Sequence, residues 1–228
     1  MTMAHDLSGL DRHGAAILPG LLSPQDCAAM IALWDGAPPA AFRKEVDMAR
    51  HGYGRGRYRY FAYPLPEPVA TLRTRLYPML ATVANRWAEM LGAPDIYPSD
   101  HATFLTRCHL GGQDKPTPLL LRYGPGDWNA LHQDVYGPTL FPLQVAILLS
   151  QPGTDFTGGS FVLTEQRPRM QSRPEVVPLD RGDAVIFPVR ERPVIGTRGV
   201  HRVQMRHGVS RLLGGTRHTL GIIFHDAA

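Results

Sequence analysis

Apolar positions along this chain follow two different rhythms, and the change falls near residue 117. From about Glu67 to Leu91, the residues Val69, Leu72, Leu76, Leu80, Val83, Trp87 and Met90 recur at three- and four-residue steps. This predicts an amphipathic helix whose apolar stripe buttresses a core, with a kink expected at Pro78. Upstream, Ala15 to Leu22 predicts a short strand entering a turn. Ser23-Pro24-Gln25-Asp26 then has the features of a helix start: a serine cap, proline at the first position and an acid at the third. That helix is expected to end near Gly36. Beyond residue 117 the helical period disappears, and short β-branched or aromatic runs alternate with Gly, Pro and Asp turns. The pattern predicts a mainly β protein with N-terminal helices, one domain over 1–228. Residues 1–116 are expected to form a helical elaboration that includes a substrate lid, and 117–228 the β core.

Composition narrows this picture. The 228 residues are enough to bury a core without staples. Cys27 and Cys108 are isolated, so neither a disulfide framework nor a zinc site is implied. No apolar run approaches the ~20 residues that span a bilayer, and the start lacks a basic stretch followed by an apolar one. The expectation is a cytoplasmic protein without a membrane partner. Arginine outnumbers lysine 22 to 2, which by itself says little about function.

Candidate chemistry lies in two strings 75 residues apart: His132-Gln133-Asp134, and His207-Gly208-Val209-Ser210 running on to Gly215-Thr216-Arg217. On a strand, His132 and Asp134 share a face while Gln133 turns away. One more histidine from a neighbouring strand completes two imidazoles and a carboxylate, a set that holds non-haem ferrous iron and leaves positions open. Roughly 0.6 His-x-Asp strings are expected here by chance, so the context matters. Leu119 to Tyr123, then Gly124-Pro125-Gly126-Asp127, then the motif, reads as strand, turn, strand. Arg217 opens a buried-looking strand, Arg217 to Phe224, where a guanidinium needs an anionic partner. Thr219 falls on the same face.

The run His207-x-Val209 followed by Gly215-x-Arg217 resembles the closing signature of the iron(II)/2-oxoglutarate dioxygenases. Gly158 to Phe161 and Arg181 to Phe187 look like that family's intermediate strands, so the resemblance covers residues 117 to 226. It implies a double-stranded β-helix, or distorted jelly roll, with Fe(II) held by His132, Asp134 and His207 and with 2-oxoglutarate and O2 as co-substrates. The planar fork of Arg217 suits the distal carboxylate of 2-oxoglutarate. Thr219 and Tyr123 are expected to contact the same co-substrate; Tyr123 stands where related prolyl hydroxylases place a tyrosine. His201, in Val200-His201-Arg202-Val203, is the alternative third ligand, and Arg211 the alternative carboxylate partner. His5, His13, His51, His101, His109, His218 and His225 are read as surface or hydrogen-bonded core residues.

Substrate is suggested by residues 42–61, which hold six Lys or Arg and two acids, a balance of +4 equal to the net charge of the whole chain. Arg55, Arg57 and Arg59 interleave with Tyr58 and Tyr60, a pattern suited to gripping phosphates and stacking on bases, and the glycines suit a mobile lid. The alternative is a solvated basic hairpin. The full chain resembles a bacterial subgroup thought to act on damaged nucleic acid, which implies oxidative demethylation of alkylated bases, with single-stranded or damaged nucleic acid as partner. Demethylases of the AlkB type carry a second arginine where this chain has Ile223. Peptidyl or free amino-acid hydroxylation is the second reading, and a non-enzymatic jelly-roll binding module the third.

Overall fold

The computed structural model describes residues 6–93, 97–167, 169–197 and 199–228, so His5 lies outside the described residues. Two antiparallel sheets pack face to face. The larger runs in the order β1 (Ala16–Leu18), β11 (Ala184–Pro188), β7 (Leu143–Leu148), β15 (Arg217–Ile223), β5 (Leu119–Tyr123), β4 (Arg57–Phe61), β2 (Phe42–Asp47). The smaller runs β10 (Arg173–Val177), β9 (Phe161–Gln166), β13 (Gly199–Val209), β6 (Trp128–His132), β3 (Gly54–Arg55), with β12 (Glu191–Gly196) hairpinned onto β13. A short pair, β14 (Leu212–Gly215) and β8 (Phe156–Gly158), stands beside them. This is the double-stranded β-helix that the family resemblance implies, and it agrees with the mainly β pattern of the sequence.

Strand alternation builds two cores from one sheet. On β7, Val145 and Ile147 join Ala184 and Ile186 of β11 and Leu220 and Ile222 of β15 on the outer face. There they meet α2 (Pro24–Gly36), α3 (Glu67–Met90) and α4 (His101–Leu110). Their neighbours Ala146, Val185 and Phe187 turn inward and pack on Phe161, Leu163, Val203 and Met205 of the smaller sheet. On β15 the same alternation sends Leu220 and Ile222 to the helices, and Arg217, Thr219, Gly221 and Ile223 to the interior.

The helices start and pack as their sequences require. Ser23 and Asp26 form a reciprocal capping box at α2, with Pro24 in its first turn. Such a cap is worth about 1 kcal/mol. The stripe on α3 from Val69 to Trp87 is buried, and the helix runs through Pro78. Helix α4 was missing from the sequence reading, although Asp100 caps it through the Thr103 amide and Phe104 and Cys108 sit one turn apart on its buried face. No helix among the described residues is long and apolar enough to cross a membrane.

The N-terminal half holds more strand than the expected helical elaboration with its one strand at Ala15 to Leu22. Strand β1 pairs with β11, β4 with β5, and β3 with β6, so residues before 117 extend both sheets. The physical reason is that β5, β6 and β11 would otherwise present unpaired edges, which these segments cover.

Candidate active site

At the open end between the sheets, His132 and His207 lie directly opposite each other on β6 and β13. Between that pair and the next, Val209 with Asn129, β13 advances two residues and β6 three, which marks a bulge. Bulges re-aim side chains, and this one turns both Asn129 and His132 toward the interior. Gly208 permits the close approach, because a β-carbon there would meet the Asn129 carbonyl at 2.7 Å. Strand β6 ends at His132, so Asp134 is delivered by the following loop and not by the same strand.

The three side chains, Asp134 and His207 buried and His132 half-buried, form a cluster whose ligand atoms all lie within 4.8 Å of one another. Asp134 Oδ2 is 3.2 Å from His207 Nε2, and Oδ1 is 3.6 Å from His132 Nε2. His132 Nδ1 sits 2.8 Å from the Ala130 carbonyl, a contact that needs the proton on Nδ1 and leaves the Nε2 lone pair facing the cluster. Burial opposes ionisation of Asp134, but the two imidazoles outweigh it and hold the carboxyl well below the usual carboxylate range. Burial and the neighbouring His132 push His207 down, toward the neutral form that ligates metals. For His132, burial is outweighed by the Asp134 charge, and its pKa rises. Two imidazole nitrogens and one carboxylate converging in a buried pocket fit a divalent iron ion.

Arg217 lies deeper in the same cavity of about 610 Å³ and is 2% exposed. Its Nη1 donates to Thr219 Oγ1 at 2.6 Å, its Nε has no partner among the described residues, and its guanidinium carbon stands 5.7 Å from the centre of the Tyr123 ring. Burial draws its pKa down to about 10. Tyr123 is fully buried and accepts a long hydrogen bond from Asn129. The geometry thus gathers six of the sequence candidates, His132, Asp134, His207, Arg217, Thr219 and Tyr123, around one cavity. His201 sits six residues further along β13, opposite Val194, roughly 20 Å away at the rise of a strand. Arg211 is exposed at the turn between β13 and β14.

The arginine-tyrosine stretch divides. Tyr58 and Tyr60 pair with Leu121 and Leu119 and line the cavity, while Arg57 and Arg59 alternate to the opposite face of β4. Arg59 does not serve a substrate surface: it is bound to Glu45 at 2.6 Å, donates to the Trp34 carbonyl and stacks on the Trp34 and Phe42 rings. Arg57 faces the same carboxylate at 3.5 Å, and Arg55 is exposed beside Trp128. The glycine-bearing part of the segment is tied to its surroundings at two points. Tyr53 accepts from the Ala130 amide, and Gly56 accepts from the Met48 amide. At Gly54, φ is +128° and a β-carbon would meet the Trp128 carbonyl at 2.3 Å, so its glycine serves close approach. Tyr136, which the sequence reading passed over, donates to Asp134 Oδ1 at 2.7 Å. Its position two residues after Asp134, on the same alternation as His132 and Asp134, was the available signal.

Comparison with known proteins agrees with this arrangement. Residues 56–227 match the model of the Oxygenase-NA family, described as oxygenases catalysing oxidative methylation of damaged DNA. Uncharacterized proteins from two strains of Mycobacterium tuberculosis are each 47% identical over 168 residues, 74% of this chain and 72% of theirs. Among solved structures, a 2OG-Fe(II) oxygenase-family oxidoreductase from Burkholderia pseudomallei aligns with a TM-score of 0.54 at 17% identity, covering 97% of this chain and 90% of that one. A Pseudomonas putida prolyl-4-hydroxylase aligns at 0.53 and 15%, covering 94% and 93%. These structures share the fold. The chain belongs to the Oxygenase-NA family of oxygenases and is thus an oxidoreductase.

Proposed function

We propose that this oxygenase removes methyl groups from alkylated bases in nucleic acid. The observation that carries the catalytic half of this reading is Arg217, a buried guanidinium in the cavity of the His132, Asp134 and His207 cluster, with no carboxylate among the described residues paired to it. A buried cation without an anion is costly, so its place fits an incoming dicarboxylate. In this reading His132, Asp134 and His207 hold the iron. Arg217, Thr219 and Tyr123 fix the far carboxylate of 2-oxoglutarate. With these groups bound, iron, 2-oxoglutarate and O2 supply the oxidising power that hydroxylates a C–H bond. Hydroxylation of an N-methyl carbon gives a hemiaminal that sheds formaldehyde, so the chemistry we assign is demethylation.

The substrate half is supported by the family description and by the cavity walls. Tyr53, Tyr58 and Tyr60 line the cavity, and Leu131 and Val135 are exposed apolar residues that also border it. Aromatic faces accept a base that has left its stack. Phe161 and Phe187 flank His207 and keep the interior dry. The basic stretch supports this reading less than its composition implies, because Glu45 and Asp47 already pair Arg57, Arg59 and Arg50. That internal pairing favours peptidyl or free amino-acid hydroxylation as the competing activity. The deciding experiment sets formaldehyde release from N-methylated single-stranded and duplex oligonucleotides beside mass gain on a peptide panel. Formaldehyde is expected; oxygen added to a peptide with no formaldehyde from any oligonucleotide would replace the proposal with the hydroxylase reading.

A further inference from the structure

Asp134 is held from the side opposite His207 by a short chain of hydroxyls. Tyr136 donates to Asp134 Oδ1 at 2.7 Å and itself accepts from the Tyr60 hydroxyl at 2.9 Å. A phenol has one proton, so a Tyr136 that donates to the carboxylate must receive its own hydrogen bond from elsewhere, and Tyr60 supplies it. Tyr60 is anchored in turn: its ring is covered by the Arg43 guanidinium at 4.3 Å, and Arg43 Nε donates to the Pro116 carbonyl at 2.7 Å. The two rings meet edge to face at 89°. Asp134 Oδ1 lies 3.6 Å from His132 Nε2, whereas Oδ2 has no hydroxyl donor among the described residues and lies closer to a histidine, 3.2 Å from His207 Nε2.

We infer that Tyr136, backed by Tyr60, is a positioning residue that occupies Asp134 Oδ1 and so presents the carboxylate to iron through Oδ2 alone. The inference rests on the assignment of His132, Asp134 and His207 as iron ligands. The consequence is a matter of counting. A one-oxygen carboxylate and two imidazoles use three of six positions, leaving room for a two-oxygen grip by 2-oxoglutarate and for O2; a two-oxygen carboxylate would use one too many. Outer partners of this kind typically set metal affinity by 10- to 100-fold. Tyr136 also lines the cavity alongside Tyr60, so the same hydroxyls border the space where substrate would lie.

The test is anaerobic Fe(II) titration of the full chain, with the visible charge-transfer absorption of the Fe(II) and 2-oxoglutarate complex read alongside. Tyr136→Phe is expected to weaken Fe(II) binding about 10- to 100-fold and to shift the absorption band, while the metal-free protein melts as wild type does. Tyr60→Phe is expected to change both readings in the same direction by less, and it decides the matter should Tyr136→Phe fail to fold. A merely packing role would lower the metal-free melting temperature and leave affinity and band at wild-type values, and that result would overturn the inference. Absence of Fe(II) binding by the wild-type chain would instead overturn the ligand assignment beneath it.

Discussion

Arg73 and Arg217 are two fully buried arginines in one small protein, and they are furnished in opposite ways. Arg73 of α3 is saturated: it donates to the Ile223 carbonyl, to the Tyr63 hydroxyl and to Asp226 Oδ1 at 2.7 Å, and Asp226 also accepts from Tyr63. His109 reaches the same carboxylate at 2.9 Å. Arg217 has one hydroxyl and two aromatic faces, those of Tyr123 and Phe156. A buried charge with its counter-ion in place locks the last residues of the chain against the helical layer. A buried charge without one makes sense when the counter-ion arrives from solution. The difference separates a structural cation from a binding cation, although the two residue types are identical and both are inaccessible.

The comparison breaks most visibly at the saturated site. Asp226→Ala leaves Arg73 buried and unpaired, and is expected to cost about 3 to 5 kcal/mol of stability in urea unfolding. At the other site, Arg217→Met removes a charge that has no counter-ion among the described residues. It is expected to leave the ligand-free protein as stable as wild type or up to about 4 kcal/mol more stable. A loss at Arg217 as large as that at Asp226 would erase the distinction.

The next effect sharpens the structural end. His101 is buried beside Arg73, and its Nε2 meets the Phe224 carbonyl at 2.8 Å. Burial, reinforced by the Arg73 charge, lowers its pKa to about 4. The unfolded chain binds this proton near pH 6.5 and the folded chain only near 4, so the unfolded state carries more protons in between. Stability is therefore complete above about pH 6.5 and falls as the pH drops toward 4, by up to about 3 kcal/mol. Unfolding measured across that window should show the slope, and His101→Gln should reduce it in part, because half-buried His218 and buried His225, also lowered to about 4, act in the same window.

Much of this arrangement was legible before the fold was known. The His132 and Asp134 pair and the inward face of Arg217 and Thr219 were readable from local alternation, although Asp134 sits just past the end of β6, and the roles of His207 and Arg217 came from the family resemblance. The α3 stripe was readable for the same reason. What the chain did not disclose was long-range. That Arg57 and Arg59 would turn to the opposite face from Tyr58 and Tyr60 follows from the period of two, but which face is the cavity depends on the pairing of β4 with β5. The composition of residues 42–61 suggested free cations, whereas Glu45 binds Arg59 across the pairing of β2 with β4. The strap glycines have the same ambiguity: φ above zero serves a mobile loop and a tight crossing equally well. Tyr136 shares the alternation of His132 and Asp134, but that its hydroxyl reaches Asp134 Oδ1 is set by the fold of the loop after β6.

The smallest expected effects divide the arginine-tyrosine stretch. On single-stranded DNA, Tyr58→Ala should weaken binding by about 1 to 3 kcal/mol with an unchanged salt slope, as for a lost stack. Arg55→Gln should lower the slope of log affinity against log salt by about 0.7, the value for one phosphate contact. Arg59→Gln should leave the slope alone and lower stability instead, since its partners are Glu45 and Trp34. Equal slope changes for Arg55 and Arg59 would show that the internal pairing yields to nucleic acid.

The contrast between the two arginines is tested most directly by anaerobic binding of 2-oxoglutarate to the Fe(II)-loaded chain, wild type against Arg217→Met. Loss of a buried guanidinium to carboxylate pair should weaken 2-oxoglutarate by about 2 to 5 kcal/mol, that is, on the order of 30-fold or more, with Fe(II) affinity within a few-fold of wild type. Wild-type affinity for 2-oxoglutarate in the Arg217→Met protein would contradict the account, because Arg217 would then be a buried charge with no ligand to explain it.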